Sequence, residues 1–425
     1  MYKYRKRLVD VILEQKLRVF GGCLIIGPKG CGKSTTAEQK AKTVYYFQDK
    51  LLKKYYSEIF DTNPKLILQG EKPILYDEWQ DYKDVWDMAR MDIDKNRLKG
   101  AYIFTGSSSR FVKTSHTGTL RISTLQMYPM SLYESGESNG TVSLKQLFDN
   151  HKLFKTCECK LTYEDYAYLT CRGAWPRIFE IKDKKEQLLI AKDLYEQTCN
   201  IDVENIDKSC ANSLVSKQIL KSYSRNICSL ATNKTIYGDV TEIKDHTRID
   251  TYIYALKKLC IIDNINAWNP NINSRYSARL LPKKNLVDPS IAVAACGKNP
   301  EYLIKHPWFF GSLFESLVIR DLHIYAGNNS EIYYYRNNKG LECDAILQLE
   351  DGRYALIEIK LGGSSVSTGI NNLNAIEKLI MEYNKNPKNK RKLDLPTFKL
   401  IITSENKGFN LGNNTIVIPL GCLKD

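Results

Sequence analysis

A glycine-rich loop near the N-terminus carries the residue types that bind phosphate groups. Residues 27–34 read GPKGCGKS, so glycines, a lysine and a serine follow the spacing G-x-x-x-x-G-K-[ST]. Glycines let the backbone turn its N–H groups toward phosphate oxygens, and a following helix adds the positive end of its dipole. Lys33 would reach the β- and γ-phosphates, and Ser34 would bind Mg²⁺. An apolar run precedes the loop and a helix-favouring run follows it, which favours a phosphate-binding loop over a simple glycine turn.

An apolar segment that ends in two acids supplies the next part of this site. Residues 72–78 read KPILYDE. Asp77 would hold Mg²⁺ through water, and Glu78 would polarise the attacking water as a catalytic residue. Such a strand end is common in isolation, but downstream of a phosphate-binding loop it is typical of the Walker B motif of nucleotide hydrolases.

The predicted strand 101–104 ends in small hydroxyl residues. Thr105 and Ser107 would contact the γ-phosphate, because ligands bind at the carboxyl ends of strands in open α/β sheets; a Gly/Ser turn is the alternative. An arginine that stabilises γ-phosphate charge, in cis or from a neighbouring subunit, is also expected, with Arg121 as first candidate and Arg110 as second. ATP and Mg²⁺ are therefore the expected cofactors. The residues predicted to contact the nucleotide are Gly27, Pro28, Lys29, Gly30, Cys31, Gly32, Lys33, Ser34, Thr35, Asp77, Thr105 and Ser107.

A predicted β-hairpin near the C-terminus holds a second group of chemically active side chains. Its strands are 341–347, with Asp344 near the start, and 354–360, which carries Glu358 and Lys360. Glu358 and Lys360 are two residues apart, so they face the same side of the sheet. Two carboxylates can hold Mg²⁺ against a phosphodiester while a lysine positions or deprotonates water.

The returning strand of this hairpin is apolar apart from its two charged residues. Exposed hairpins also alternate charged and apolar residues, but buried charges need a partner or a metal. Glu315, on the predicted helix 313–320, is a further acid of the site. We predict metal ligands at Glu315, Asp344 and Glu358 and catalytic roles for Glu358 and Lys360, and expect Mg²⁺- or Mn²⁺-dependent nicking of DNA. A nuclease fold that has lost its activity is the alternative.

Length and composition indicate a globular protein of several domains. A chain of 425 residues suggests two to four domains. It contains no run of about 18 apolar residues, so no membrane contact is expected, and the charged residues at 8–16 argue against a signal peptide. The twelve cysteines lack a metal-binding spacing. These features predict a cytoplasmic location and no structural zinc.

The positive charge of the chain is concentrated in one region. The net charge is +14, and residues 211–298 hold 13 Lys/Arg and 6 Asp/Glu, a local excess of +7. Such a basic segment is the electrostatic signature of nucleic-acid binding, with a solvated surface that binds nothing specific as the alternative.

The same region has the period of three helices and a strand. The predicted helices are 215–232, 237–243 and 247–259, followed by a strand at 260–265. That order is typical of a winged helix-turn-helix, a fold that also serves for domain packing. In the third helix, basic residues would face phosphates. They are Arg248, Lys257 and Lys258.

Together these motifs resemble a known group of proteins over essentially the whole chain. The sequence is similar to bacterial and archaeal AAA-type ATP-binding proteins that join a P-loop domain to a C-terminal domain of unknown function. The motifs that carry this resemblance are GPKGCGKS at 27–34, YDEWQ at 76–80, FTGSS at 104–108, Arg121, YPMSLYE at 128–134, GAWP at 173–176, LVDPS at 286–290, FE at 314–315, ECD at 342–344 and EIK at 358–360. The resemblance implies an ATPase core, a winged-helix middle and a C-terminal domain similar to PD-(D/E)xK nucleases. Asp344 departs from that pattern because glutamate and cysteine, not proline, precede it.

The fold class predicted for the chain is α/β. It comprises an N-terminal P-loop NTPase parallel sheet, a helical and winged-helix middle and a C-terminal α/β domain like that of restriction endonucleases. The predicted domains are 1–140 (P-loop ATPase), 141–206 (helical), 207–285 (winged-helix-like) and 286–425 (nuclease-like).

The predicted function is ATP hydrolysis whose nucleotide state controls a basic, nuclease-like half that binds DNA or RNA. The alternative is a signalling or scaffold switch that binds ATP, forms a homo-oligomer and carries an inactive nuclease fold.

Overall fold

The structure, a computed structural model, describes residues 4–106, 117–269, 280–327 and 330–425. Ser107 and Arg110, two residues predicted for the nucleotide site, lie outside these ranges. The chain forms two compact units. Unit 1 comprises Met1–Pro129, Trp175–Arg177 and Ala255–Ile261, and unit 2 comprises Met130–Ala174, Ile178–Tyr254 and Ile262–Asp425.

Unit 1 contains the predicted parallel sheet, which has five strands. Its strands are β1 (Gly22–Ile26), β2 (Thr43–Tyr46), β3 (Ile74–Asp77), β4 (Tyr102–Thr105) and β5 (Ile122–Gln126). Their order across the sheet is β2-β3-β4-β1-β5, which places the strand before the phosphate-binding loop between β4 and β5. The helices are α1 (Val9–Val19), α2 (Lys33–Glu38), α3 (Lys53–Thr62) and α4 (Asp84–Asn96).

An aromatic layer holds one face of this sheet in place. Tyr76, Tyr102 and Phe104 are fully buried, and neighbouring rings among them lie 5.3–5.8 Å apart. Trp79 stacks on Trp86 of α4 at 4.9 Å. Large buried aromatic rings contribute more apolar contact than any other side chains. They fix the strand ends from which the site residues project.

Unit 2 combines a set of helices with a mixed sheet. Its helices are α5 (Leu132–Ser135), α6 (Leu144–Asn150), α7 (Tyr163–Arg172), α8 (Lys184–Gln197), α9 (Val203–Ile206), α10 (Ser213–Arg225), α11 (Asn233–Asp239), α12 (His246–Lys258, of which residues 255–258 are assigned to unit 1), α13 (Pro289–Cys296), α14 (Pro300–Lys305), α15 (Pro307–Ala326) and α16 (Val366–Lys385). Its strands are β6 (Val142–Ser143), β7 (Thr156–Glu158), β8 (Asn266–Ala267), β9 (Ser330–Arg336), β10 (Glu342–Leu349), β11 (Tyr354–Lys360), β12 (Phe398–Thr403), β13 (Lys407–Gly412), β14 (Thr415–Pro419) and β15 (Leu423–Lys424).

The larger sheet of unit 2 has the order β7-β13-β14-β12-β11-β10-β9-β8. β10 and β11 form the predicted antiparallel hairpin, in which Ala345 pairs with Ile357. This register places Asp344 and Glu358 at neighbouring positions on adjacent strands. β6 and β7, from the segment predicted as a separate helical domain, pair with β15 and β13. The predicted four-domain division stays a prediction.

The segment after α12 differs from its prediction. Within the described residues, 260–265 is not a strand but forms two isolated bridges, Ile262 with Leu286 and Ile265 with Lys283. Cys260 adopts the left-handed conformation (φ 57°), which turns the chain directly after the helix and prevents a continuous strand. The middle helix, α11, lies four residues earlier than predicted, because the side chain of Thr232 caps it by accepting from the Thr235 N–H. The winged-helix arrangement therefore stays a prediction.

Candidate functional site

The loop between β1 and α2 has the backbone geometry that phosphate binding requires. Gly30 and Gly32 have φ of 79° and 100°, values at which a residue with a side chain is strained. A Cβ at Gly27 would lie 2.2 Å from the carbonyl oxygen of Met127, so only glycine fits there. The other residues predicted to contact the nucleotide through this segment, in the loop and the first turn of α2, are Pro28, Lys29, Cys31, Ser34 and Thr35.

The Lys33 side chain is buried and its ammonium group points into the loop. Its Nζ donates to the carbonyl oxygens of Gly27 and Pro28 at 3.1 and 3.0 Å. The ammonium group is thus held inside the turn whose N–H groups would surround a phosphate. A bound phosphate would exchange these two neutral acceptors for charged ones, which make stronger hydrogen bonds.

A single carboxylate oxygen joins the three predicted motifs of this site. Asp77 Oδ1, at the end of β3, accepts from Ser34 Oγ and from Thr105 Oγ1, each at 2.5 Å. The structure therefore brings the phosphate-binding loop, the acidic strand end and the hydroxyl at the end of β4 to one point. The Ser34 hydroxyl and the Asp77 carboxylate provide oxygen ligands, which Mg²⁺ prefers. These residues fit the expected cation.

Glu78 directly follows this carboxylate in an uncommon backbone conformation. Its φ and ψ are 53° and 48°, the left-handed region, and its carboxylate accepts from Gln80 Nε2 at 2.5 Å. Non-glycine residues in this region are strained and concentrate at functional sites. Glu78 contacts Gln80, whereas Asp77 accepts from Ser34, and the different roles of the two acids stay a prediction.

Two residues that the sequence did not single out support the loop from the N-terminal segment. Arg7 is buried, and its guanidinium donates to the carbonyl oxygens of Cys31 at 3.0 Å and Tyr128 at 2.9 Å. Tyr4 Oη lies 3.1 Å from Thr36 Oγ1 on α2. No local pattern signals a contact that spans 121 residues of sequence.

Arg121, the first candidate for an arginine acting on the γ-phosphate, is engaged elsewhere in this structure. Its Nε donates to Asp94 Oδ1 on α4 at 2.8 Å, and both side chains are partly exposed. Exposed ion pairs contribute little to stability, so this pair holds Arg121 only weakly. Its catalytic role stays a prediction.

The acids and lysine predicted for the C-terminal site converge in unit 2. Lys360 Nζ lies 3.1 Å from Asp344 Oδ2 and also pairs with Glu358 Oε2. Asp344 Oδ2 in addition accepts from the Ile359 N–H at 2.8 Å. The hairpin register therefore places two carboxylates around one ammonium group, with Glu358 buried.

A second lysine, Lys283, contacts the other acids of this site. It was not predicted from the sequence as a site residue. Lys283 is 1% exposed, and its Nζ lies 2.7 Å from Glu315 Oε1, 3.1 Å from Glu342 Oε1 and 4.0 Å from Asp344 Oδ1. We call the set Lys283, Glu315, Glu342, Asp344, Glu358 and Lys360 the acid–lysine cluster. Among the described residues, no three His, Cys, Asp or Glu side chains are arranged to hold a metal ion. As it stands, the cluster does not fit a divalent ion, because ammonium groups already occupy its carboxylates.

Burial is the largest cause of the shifted pKa values of the acids in this cluster. It raises the pKa of Glu315 to about 7, with Lys283 acting in the opposite direction. Burial and the neighbouring Asp344 carboxylate raise the pKa of Glu358 to about 8, although Lys360 opposes them. Burial would lower the pKa of Lys283, but the surrounding acids raise it well above its usual range. The lysines thus stay charged across the pH range in which two of the acids titrate.

The raised pKa of Glu358 predicts a pH-dependent stability. Its pKa is about 8 in the folded chain and about 4.3 in an unfolded one, so the folded state binds more protons between these values. The free energy of unfolding should therefore fall as pH rises from 5 to 8, by at most about 1.4 kcal/mol per pH unit for this group. Urea unfolding of Glu358→Gln should show a flatter pH dependence than wild type. Glu382→Gln, at an exposed site on α16, is the control, and parallel curves for all three proteins would refute the assignment.

Three family models match separate parts of the chain. Residues 21–136 match the AAA domain family, residues 163–302 the domain of unknown function DUF8612 and residues 310–423 the domain of unknown function DUF4143. The chain therefore carries an AAA-type P-loop ATPase domain near its N-terminus. This family match is evidence for ATP binding and for ATPase activity.

Solved structures with a similar arrangement are distant. The Walker-type ATPase PABY2304 of Pyrococcus abyssi is 15% identical with a TM-score of 0.41, over 67% of this chain and 94% of that one. The replication initiator DnaA bound to AMPPCP and single-stranded DNA is 14% identical with a TM-score of 0.28, over 59% and 86%. No curated protein sequence matches the chain significantly. None of the described helices has the length and apolar character needed to cross a membrane.

Proposed function

We propose that this protein hydrolyses ATP and that its nucleotide state controls a nucleic-acid-binding, nuclease-like C-terminal half. The observation that carries the ATPase proposal is the convergence of Ser34 and Thr105 on Asp77, beside the buried ammonium group of Lys33. Residues of these types in this arrangement meet the requirements for positioning a γ-phosphate and an attacking water.

Each side chain has a defined task in this proposal. Lys33 binds the β- and γ-phosphates in place of the Gly27 and Pro28 carbonyls. Ser34 and Asp77 would hold Mg²⁺, which neutralises phosphate charge when bound. Glu78 takes the proton of the attacking water, and the Thr105 hydroxyl, released from Asp77, contacts the γ-phosphate. Arg7 keeps the Cys31 carbonyl turned away from the phosphates.

Arg121 completes the site if it acts as a charge-stabilising arginine. We expect Arg121→Ala to lower kcat for ATP by about 1,000-fold or more, the effect of losing such a group in related chemistry. Asp94→Ala is the matched control, because it breaks the same ion pair and keeps the guanidinium. Steady-state hydrolysis of both variants decides the question. Equal kcat values for Arg121→Ala and wild type would restrict Arg121 to its surface ion pair.

The nucleic-acid part of the proposal depends on charge. Helix α12 carries Arg248 and Lys257, both exposed, within the basic segment 211–298. Binding should weaken steeply with salt, and the slope of log K against log salt should be about −0.9 for each phosphate contacted. The double variant Arg248→Ala/Lys257→Ala should bind duplex DNA more weakly and reduce that slope by about 2.

The control for this prediction removes the same number of charges elsewhere. Lys182→Ala/Lys185→Ala alters exposed lysines outside the basic segment and should leave the slope unchanged. Fluorescence anisotropy over a range of salt concentrations measures both variants, with DNA and RNA of one sequence. Wild-type binding that is absent or independent of salt would favour the alternative, an ATP-dependent switch that oligomerises without nucleic acid.

Cleavage of the bound nucleic acid is a second candidate function. One observation favours it: the hairpin brings together Asp344, Glu358 and Lys360, the three residue types of the D…E-x-K pattern. Against it stands the occupation of Glu315 by Lys283. The metal-binding roles predicted for these acids can apply only in a state in which that lysine has moved.

A further inference from the structure

The carboxylates of the acid–lysine cluster are already paired with cationic side chains. Four carboxylates face two buried or nearly buried ammonium groups, and Arg336 adds a third cation at 3.0 Å from Glu342 Oε2. Buried carboxylates repel one another unless a cation lies between them. In this structure that cation is the side chain of Lys283.

The position of Lys283 is fixed by its backbone. Its N–H donates to the Ile265 carbonyl at 2.9 Å, and the Ile265 N–H donates back to the Lys283 carbonyl at 3.0 Å. The next residue, Lys284, bonds through its N–H to the Ser229 carbonyl and through Nζ to Asn233 on α11. The segment that inserts the ammonium group is therefore attached to the helices of the basic region.

We propose that Lys283 acts as an internal cation that occupies the acid–lysine cluster in place of a divalent metal ion. This inference rests on the proposed nuclease-like function of unit 2 and concerns the regulation of that site. Glu315, Glu342 and Asp344 bind the ammonium group in the resting chain. Removal of the ammonium group leaves these three carboxylates without the cation that offsets their repulsion.

The test is Mn²⁺ binding to the nucleotide-free full chain, measured by calorimetry and by the shift in melting temperature. Lys283→Ala should bind one Mn²⁺ more than wild type and should be stabilised by it, because the ion replaces the lost charge. Adding Asp344→Asn to this variant should abolish the additional binding. Wild type should show neither effect.

A matched control is available on the same sheet. Lys399 is 2% exposed and pairs with Glu377 at 2.5 Å and Asn374 at 2.7 Å, so its removal also leaves a partly buried acid without its cation. Lys399→Ala should lose stability without gaining a Mn²⁺ site, because one carboxylate and one amide are too few charged ligands.

The possible outcomes separate the inference from the proposed function. If Lys283→Ala is too unstable to purify, Lys283→Gln is refolded with and without Mn²⁺, and recovery with Mn²⁺ alone supports the inference. Equal Mn²⁺ binding by wild type and the Lys283 variants, or failure of Mn²⁺ to rescue either variant, overturns it. A gain of Mn²⁺ binding in a chain that binds no nucleic acid would reject only the proposed function.

Discussion

Replacement of Lys33 by alanine is expected to weaken ATP binding by about 10- to 100-fold. The ammonium group is the buried cation of the phosphate-binding loop, and hydrogen bonds to a charged group contribute about 1.5–3 kcal/mol. Titration with a fluorescent ATP analogue measures the effect. Lys42→Ala, at an exposed position after α2, is the control and should bind ATP as wild type does.

Glu78→Gln should separate binding from hydrolysis at the same site. The amide keeps the size of the side chain but cannot take a proton from water, so kcat should fall by about 100- to 10,000-fold while ATP affinity is retained. Measurement of affinity and turnover on one preparation distinguishes the two effects. If the Glu78 variant hydrolyses ATP at the wild-type rate, another residue activates the water.

The largest expected effect on stability lies in unit 2, at Arg320. This arginine is 1% exposed and bonds to Asp288 at 2.8 Å and Asp321 at 2.7 Å, two acids with no exposed surface. Removal of one partner of a buried ion network leaves an uncompensated charge and costs about 3–5 kcal/mol. Urea unfolding of Arg320→Met, followed by a probe in unit 2, should show a loss of this size.

The control for Arg320 is an arginine in an exposed pair. Arg353 is 43% exposed and contacts Asp351 at 2.8 Å, so Arg353→Met should cost less than about 1 kcal/mol. Equal losses for the two variants would mean that the buried network is replaceable. The network also explains why separate motifs occur together: Asp288 belongs to LVDPS, and Asp321 accepts from the Leu132 N–H of YPMSLYE at 3.0 Å.

The fold class and the parallel sheet of unit 1 could be predicted because their signals are local. Residues 27–34 and 72–78 each carry a strand end and its chemistry within one short segment, and the structure brings Ser34 next to Asp77. The β10–β11 hairpin could be predicted for the same reason, because a short turn joins two strands that are adjacent in sequence. Roles in catalysis, by contrast, stay predictions for every residue of both sites.

The parts of the sites that the sequence did not reveal depend on long-range contacts. Lys283 reaches Glu315 and Asp344 from a segment that precedes them by more than thirty residues, and nothing near it in sequence is acidic apart from Asp288. Arg7 contacts Tyr128 in the same way. Sequence patterns predict local structure, because they depend on residues that are close together in the chain. Whether a charged side chain is buried depends instead on helices and strands that are distant in sequence and pack against it.

The strand pairings of unit 2 have a consequence for the order in which the chain folds during synthesis. The five strands of unit 1 all lie within residues 22–126, so its sheet can form while the rest of the chain is still being translated. In unit 2, β7 pairs with β13 and β6 pairs with β15, which ends at Lys424. β6 and β7 can therefore pair only after residues 407–424 have left the ribosome. The nascent protein passes through a stage in which all five strands of the unit 1 sheet are present while β6 and β7 have no partners.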